Sequence, residues 1–95
     1  MIERHISFDV LPDQTEAFER FITEHYRPPV LEMPGLIECS LLREADSATR
    51  YQLVFRWEAP EDAVAWRVSH VHQGLQPALN ALHDGMVIVA YTKVA

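Results

Sequence analysis

Residues 2–10 alternate without a break. Ile2, Arg4, Ile6, Phe8 and Val10 fall on one side of an extended chain, and Glu3, His5, Ser7 and Asp9 fall on the other. A period of two over such a run predicts a strand with one largely apolar and one polar face. Leu11-Pro12-Asp13 interrupts it, with Asp13 placed to cap a helix and Glu16 placed to return the bond. Ala17, Phe18, Phe21, Ile22 and His25 then recur at helical spacing and predict a buried stripe. Pro28-Pro29 is expected to end this helix, because neither ring nitrogen donates and the residue before a proline is pushed out of helical angles. Met33-Pro34-Gly35 signals a turn. Leu36 to Arg43 and Tyr51 to Trp57 are β-rich runs joined by a polar loop, Ala45 to Arg50, and predict a hairpin. Pro60 suits the first turn of a second helix, with Glu61 and Asp62 at its positive end. That helix is expected to reach about Ser69, with a further helical piece from Leu75 to His83 begun or bent near Pro77. Asp84-Gly85 reads as a turn and Met86 to Val94 as a last strand.

The element order is therefore β-α-β-β-α-β. Right-handed crossovers in one antiparallel sheet put the first and third strands in the centre, which is the ferredoxin-like arrangement. The expected class is α+β, with a four-stranded antiparallel sheet and residues 1–95 forming one domain. Antiparallel pairing of strands 1 and 3 would bring Glu3 near Arg56 and Asp9 near Arg50, at roughly 0.2–1 kcal/mol per pair. The edge strands behave differently. On strand 4 neither Val87, Val89, Tyr91, Lys93 nor Ile88, Ala90, Thr92, Val94 is a polar face, and on strand 2 neither Ile37, Cys39, Leu41 nor Leu36, Ser40, Leu42 is one. A sheet face polar at its centre but flanked by apolar edges predicts a covered face. The expected cover is a second copy of the chain, a homodimer through the sheet face that encloses a partly polar cavity and leads to a dimeric α+β barrel.

Composition narrows the partners. A chain of 95 residues buries a modest share of its surface, which favours self-association. Eight basic residues against fourteen acidic ones, net −6, disfavour nucleic acid and anionic membrane surfaces. No apolar run approaches the ~20 residues of a membrane span, and MIERHISFDV lacks the basic start of a signal peptide, so a soluble, cytoplasmic protein is expected. The single cysteine, Cys39, permits no intrachain disulfide and lies in an apolar alternation, where it should simply pack. His70 and His72, two apart, do not share a helix face, and no Asp, Glu or Cys follows closely, so no metal is expected. No Ser-His-Asp elbow, phosphate loop or dinucleotide fingerprint is present.

The segments MPGLIECSLLRE and RYQLVFRWEAPEDAVAWRVSHVH together resemble the antibiotic biosynthesis monooxygenase family of dimeric α+β barrels. The shared features are Pro-Gly opening strand 2, a strand 3 ending in Trp57, an acidic helix start, and an aromatic-plus-histidine segment near that helix's end. The resemblance spans nearly the whole chain. It implies the dimeric barrel and, for enzymes similar to this chain, oxidation of polycyclic phenols such as anthrones to quinones by dioxygen without metal or flavin. MIERHISFDV and SHVHQGL also resemble the stress-responsive α/β-barrel family, which implies the same barrel and leaves a non-catalytic binding role as the alternative. A third branch, the haem-degrading monooxygenases, wants an asparagine on strand 1, a tryptophan on helix 2 and an axial histidine ten residues later. Trp66 fits, but strand 1 has no asparagine and the position ten beyond Trp66 is Gln76, so haem degradation is disfavoured.

Cofactor-free oxygenation needs a base, a dry pocket and cationic or hydrogen-bonding groups beside the developing oxyanion. His5, on the polar sheet face, has the intrinsic pKa range of such a base. Arg56 is the candidate for stabilising an enolate or phenolate, with Ser7 and Gln52 to orient it. Trp66, with Trp57 nearby, would wall an aromatic substrate. His70, one turn after Trp66, would stand at the pocket mouth, with His72 solvated or capping the helix end. Each residue also has a plain structural role open to it: an exposed strand histidine, a paired arginine, two core tryptophans. The expectation is a cofactor-independent monooxygenase of a small aromatic, anthrone or quinol in type. What separates it from a binding barrel is whether His5 and Arg56 converge on the cavity.

Overall fold

The computed structural model describes residues 1–95. Strands β1 (Ile2–Val10), β2 (Leu36–Arg43), β3 (Arg50–Trp57) and β4 (His83–Thr92) form one antiparallel sheet in the order β2-β3-β1-β4. The first and third strands are central, as the crossover rule requires. Glu3 lies opposite Arg56 and Asp9 opposite Arg50, so the expected register holds.

The inner face of the sheet carries the core. On β3 the alternation is clean, with Tyr51, Leu53, Phe55 and Trp57 buried and the residues between them more exposed. Ile6, Phe8 and Val10 of β1 continue that layer, and Phe18, Ile22, Tyr26, Val30, Ala63, Trp66 and Leu79 close it from the helices. Fully burying an aliphatic or phenyl side chain contributes about 1.5–3 kcal/mol, so this layer is the main source of stability. Cys39 packs within it. Burial pushes its thiol up to about 11, which leaves it inert as a nucleophile at neutral pH.

Five local expectations are corrected. A 3-10 turn at Pro12–Gln14 leads into α1 (Thr15–Phe21), and neither Asp13 nor any other side chain caps it. The helix also continues through Pro28-Pro29. A π turn at Ile22–Tyr26, in which the Arg27 N–H reaches back five residues to the Ile22 carbonyl, resets the ladder before α2 (Arg27–Leu31). The prolines then occupy the first turn of α2, where missing donors are tolerated. The buried stripe is accordingly Phe18, Ile22, Tyr26 and Val30, while Ala17 and His25 are exposed and Phe21 is half-buried.

The second helical region divides earlier than expected. After α3 (Pro60–Arg67), α4 (His70–Asn80) begins at His70, because the Ser69 hydroxyl caps it by accepting from the His72 N–H at 3.1 Å. Asp84-Gly85 is no turn but part of β4: Asp9 pairs with Gly85 and Val10 with His83, which leaves Asp84 as the extra residue of a bulge. No helix is long and apolar enough to cross a membrane.

Candidate active site

The seven residues expected to share one site lie on two faces of the sheet. His5, Ser7, Gln52 and Arg56 are on the outer face, where they do come together. Gln52 Nε2 is 3.3 Å from His5 Nδ1, and His5 Nε2 is 3.4 Å from a Glu3 carboxylate oxygen. Arg56 in turn lies 3.4 Å from Glu3 and 3.3 Å from Glu38. Ser7 stands opposite Gln52 across the β1–β3 ladder. The cluster is thus an ion-pair network closed by two carboxylates of the chain itself, and it does not reach the internal cavity. Trp57 and Trp66 are on the other side, 1% and 3% exposed within the core. His70 is the exposed first residue of α4 and does not meet Trp66; the histidine that does is His72. The capped start at Ser69 changes the helical phase between Trp66 and the histidines, which is why the one-turn spacing misled.

A cavity of about 130 Å³ opens between the inner sheet face and the helices. Its walls are chiefly aromatic and aliphatic, with Phe55 and Trp57 from β3, Trp66 from α3, and Met86 and Ile88 from β4. Five polar side chains break this lining: Arg4, Tyr26, Arg67, His72 and Gln76. Arg4 arrives there by simple alternation, the one charged member of the β1 set that faces the helices. Tyr26 arrives because the π turn extends the stripe at four-residue spacing. His72 and Gln76 lie one turn apart on α4.

These groups are held against one another. The Trp66 indole N–H donates to the Tyr26 hydroxyl at 3.4 Å, with the two rings nearly perpendicular at 80°. The His72 ring sits 5.3 Å from the Trp66 ring, edge to face, and its Nε2 lies 3.1 Å from the Gln76 amide. His72 Nδ1 is buried and has no hydrogen-bond partner. Arg4 and Arg67 form neither a side-chain hydrogen bond nor an ion pair, because every ion pair of the chain is made elsewhere.

The electrostatics follow from that arrangement. Burial, and then the nearby positive charge of Arg67, lower the pKa of Arg4 from its usual value. Burial also lowers that of His72, and the charges of Arg4 and Arg67 add to the effect against an opposing pull from the Arg67 backbone, which does not meet hydrogen-bond geometry with the ring. The imidazole is therefore neutral at physiological pH and able to accept a proton. Burial pushes Tyr26 up to about 12, which keeps it a neutral phenol. The cavity thus offers a neutral base, a half-buried cation at Arg4, a second cation at the exposed Arg67 and a hydrogen-bonding phenol beside aromatic walls. That set can deprotonate an acidic O–H or C–H and stabilise the resulting anion away from water. Nowhere in the chain do three His, Cys, Asp or Glu side chains converge in a metal-holding group.

The residues missed from the sequence are Arg4, Tyr26, Arg67, His72 and Gln76. Arg4 carried a signal, a charge within an otherwise apolar period-two set. Ser69 carried another, since a serine three residues before His72 is a helix start.

Comparison with known proteins agrees with the fold. A protein from Nitrosomonas europaea classed with the antibiotic biosynthesis monooxygenases superposes with a TM-score of 0.89 at 22% identity, over 100% of both chains. A Bordetella bronchiseptica protein of the same class gives 0.86 at 24% identity, covering 99% of this chain and 97% of that one. SnoaB of Streptomyces nogalater, a cofactor-independent oxygenase solved as a point mutant, gives 0.78 at 19% identity, covering 97% and 91%. A search among curated proteins returned no match. The model of the antibiotic biosynthesis monooxygenase family matches residues 1–78, most of the chain including β1, the β2–β3 hairpin, Trp66 and His72, and the chain belongs to that family.

Proposed function

We propose that the protein is a cofactor-independent monooxygenase of a small phenolic or quinol-type aromatic substrate, with its reaction site in the inner cavity. Of the anthrone and quinol types expected from the sequence, the smaller one suits a cavity of about 130 Å³. The observation that carries this reading is a neutral, half-buried imidazole, His72, beside two unpaired guanidinium groups and a tryptophan wall. His72 would take the acidic proton of the substrate, and Arg4 and Arg67 would stabilise the anion. That anion gives an electron to dioxygen, and recombination forms a C–O bond to the ring carbon. Loss of water from the peroxide then breaks the O–O bond and leaves a carbonyl. For a phenol with a free para position the products are a quinone and one water. The substrate supplies all the electrons, so no external reductant is required. The relationship to SnoaB supports the class of reaction.

The outer face fits a different task. Val87, at 61% exposure, Tyr91, at 47%, and Leu42, at 53%, flank the Glu3–His5–Arg56 network with apolar surface. In our reading a second copy of the chain covers this face, giving the dimer typical of the family, and Val89→Glu should shift the protein to monomer in analytical ultracentrifugation.

Dioxygen uptake by metal-free protein over a panel of quinols, hydroxybenzoates and anthrones tests the activity. Uptake above the uncatalysed rate that is lost in His72→Asn supports the reading. A folded dimer with no uptake on any of them favours a non-catalytic binding barrel.

A further inference from the structure

None of the chain's fourteen carboxylates lines the inner cavity, whereas two of its eight basic side chains do. This is the reverse of the chain's overall balance, net −6. On the outer face each arginine of the central strands has a carboxylate from its own chain: Arg50 has Glu44 and Asp9, and Arg56 has Glu3 and Glu38. Arg4, on the same sheet but the opposite face, has none. A partly buried guanidinium beside a second one is costly to leave without an opposite charge. The missing charge belongs to whatever occupies the cavity.

Size limits the occupant. An apolar cavity of about 150 Å³ is known to accept benzene, and this one measures about 130 Å³. It matches one six-membered ring; the fused three-ring frame of an anthrone exceeds it. The form of the charge is limited too. A phenol, with a pKa near 10, is uncharged at neutral pH and cannot neutralise a permanent cation before reaction. A carboxylate can, and its two oxygens match the fork of a guanidinium. The orphaned Nδ1 of His72 then remains for a hydroxyl on the same ring.

We infer that the inner cavity takes a single-ring aromatic carrying a carboxylate, held at its charged end by Arg4 and Arg67 with its ring against Trp66 and Phe55. This narrows the substrate class of the site proposed above and rests on that reading of the cavity as a ligand site.

Calorimetric titration of the full-length protein with meta-hydroxybenzoate, its methyl ester and an anthrone tests it. The acid should bind at least about tenfold more tightly than the ester, as expected for a charge-assisted contact, and added salt should weaken the acid alone. Arg4→Gln should erase the preference for the acid over the ester. Arg67 lies on an exposed part of α3, so Arg67→Gln, which should reduce the preference, serves if Arg4→Gln does not fold. Equal binding of acid and ester overturns the inference. So does failure of the acid to bind, a preference that survives both substitutions, or an anthrone that outcompetes the acid. Dioxygen uptake is scored separately. Arginine-dependent binding of the acid without uptake sinks the oxygenase and leaves the ligand class standing; uptake on neutral rings that ignores both arginines does the opposite.

Discussion

On the outer face of the sheet, Arg50 lies 2.8 Å from Glu44 and Arg56 lies 3.3 Å from Glu38. On the inner face of the same sheet, Arg4 has no hydrogen-bonded or ionic partner at all. The residue type, the strand geometry and the twofold alternation are the same. The difference is what the neighbouring strands and helices present. Outside, Glu3 and Glu38 fall in register with Arg56, and the charges close on one another. Inside, the neighbours are aromatic rings, an imidazole and a second arginine. An arginine satisfied by its own fold is a structural device, and one left open in a cavity is available to a ligand. The same contrast separates the two histidines. His5 is engaged by Glu3 and Gln52, while His72 keeps an unpartnered nitrogen beside Trp66.

The sharpest way to break this comparison is to remove one histidine at a time. His72→Asn should lower kcat/KM by about 10²–10⁴, the usual worth of a positioned general base, with the fold retained in circular dichroism. His5→Asn should leave it within a few-fold. If His5 matters more, the chemistry belongs to the outer face. Next in size is the wall itself. Trp66→Ala should cost about 3–5 kcal/mol in urea unfolding, because it empties a nearly buried indole site and strips Tyr26 of its donor.

The pH response is smaller and its sign is definite. The pKa of His72 is lower in the folded chain than the roughly 6.5 of a free imidazole. Between those two values the unfolded chain binds a proton that the folded one refuses, so stability rises with pH through this window and levels off above it. The acid limb of kcat/KM for the free enzyme should likewise fall below the usual imidazole value. In Arg67→Gln, which removes one of the charges opposing protonation, the limb should move upward toward that value. A limb that stays put would detach Arg67 from the site. The smallest effect is expected outside. Arg56→Gln breaks pairs that are about a third exposed and should change monomer stability by no more than about 1 kcal/mol, measured under conditions where no dimer forms.

Much of the fold was readable as pattern. The period-two runs of β1 and β3, the β2–β3 hairpin and the pairing of Glu3 with Arg56 all follow from local alternation plus the handedness of crossovers. The helix ends were less legible. Pro28-Pro29 looked like a stop because a regular ladder cannot cross them, yet a π turn moved the prolines to a position that needs no donors. The site was legible only in its walls. Trp57 and Trp66 were found as the apolar bulk they are, while Arg4, Tyr26, Arg67 and Gln76, which line the inner cavity, were not singled out, and His5, Ser7, Gln52 and Arg56 lie on the outer face. Polar residues on a polar face look more available for chemistry than a single arginine embedded in an apolar one.

Sequence alone therefore determined which residues share a face, since side-chain direction in a strand depends on nothing beyond the backbone repeat. It determined the strand order as well, because chain handedness permits one compact solution for this element order. Only the tertiary structure decided which face holds the cavity and which charges are left open there. Those outcomes depend on where α3 and α4 dock, on the phase set by the Ser69 cap, and on which carboxylates the folded neighbours bring within reach of each arginine. Charge compensation is a property of distances between segments remote in the chain, and no local period encodes it.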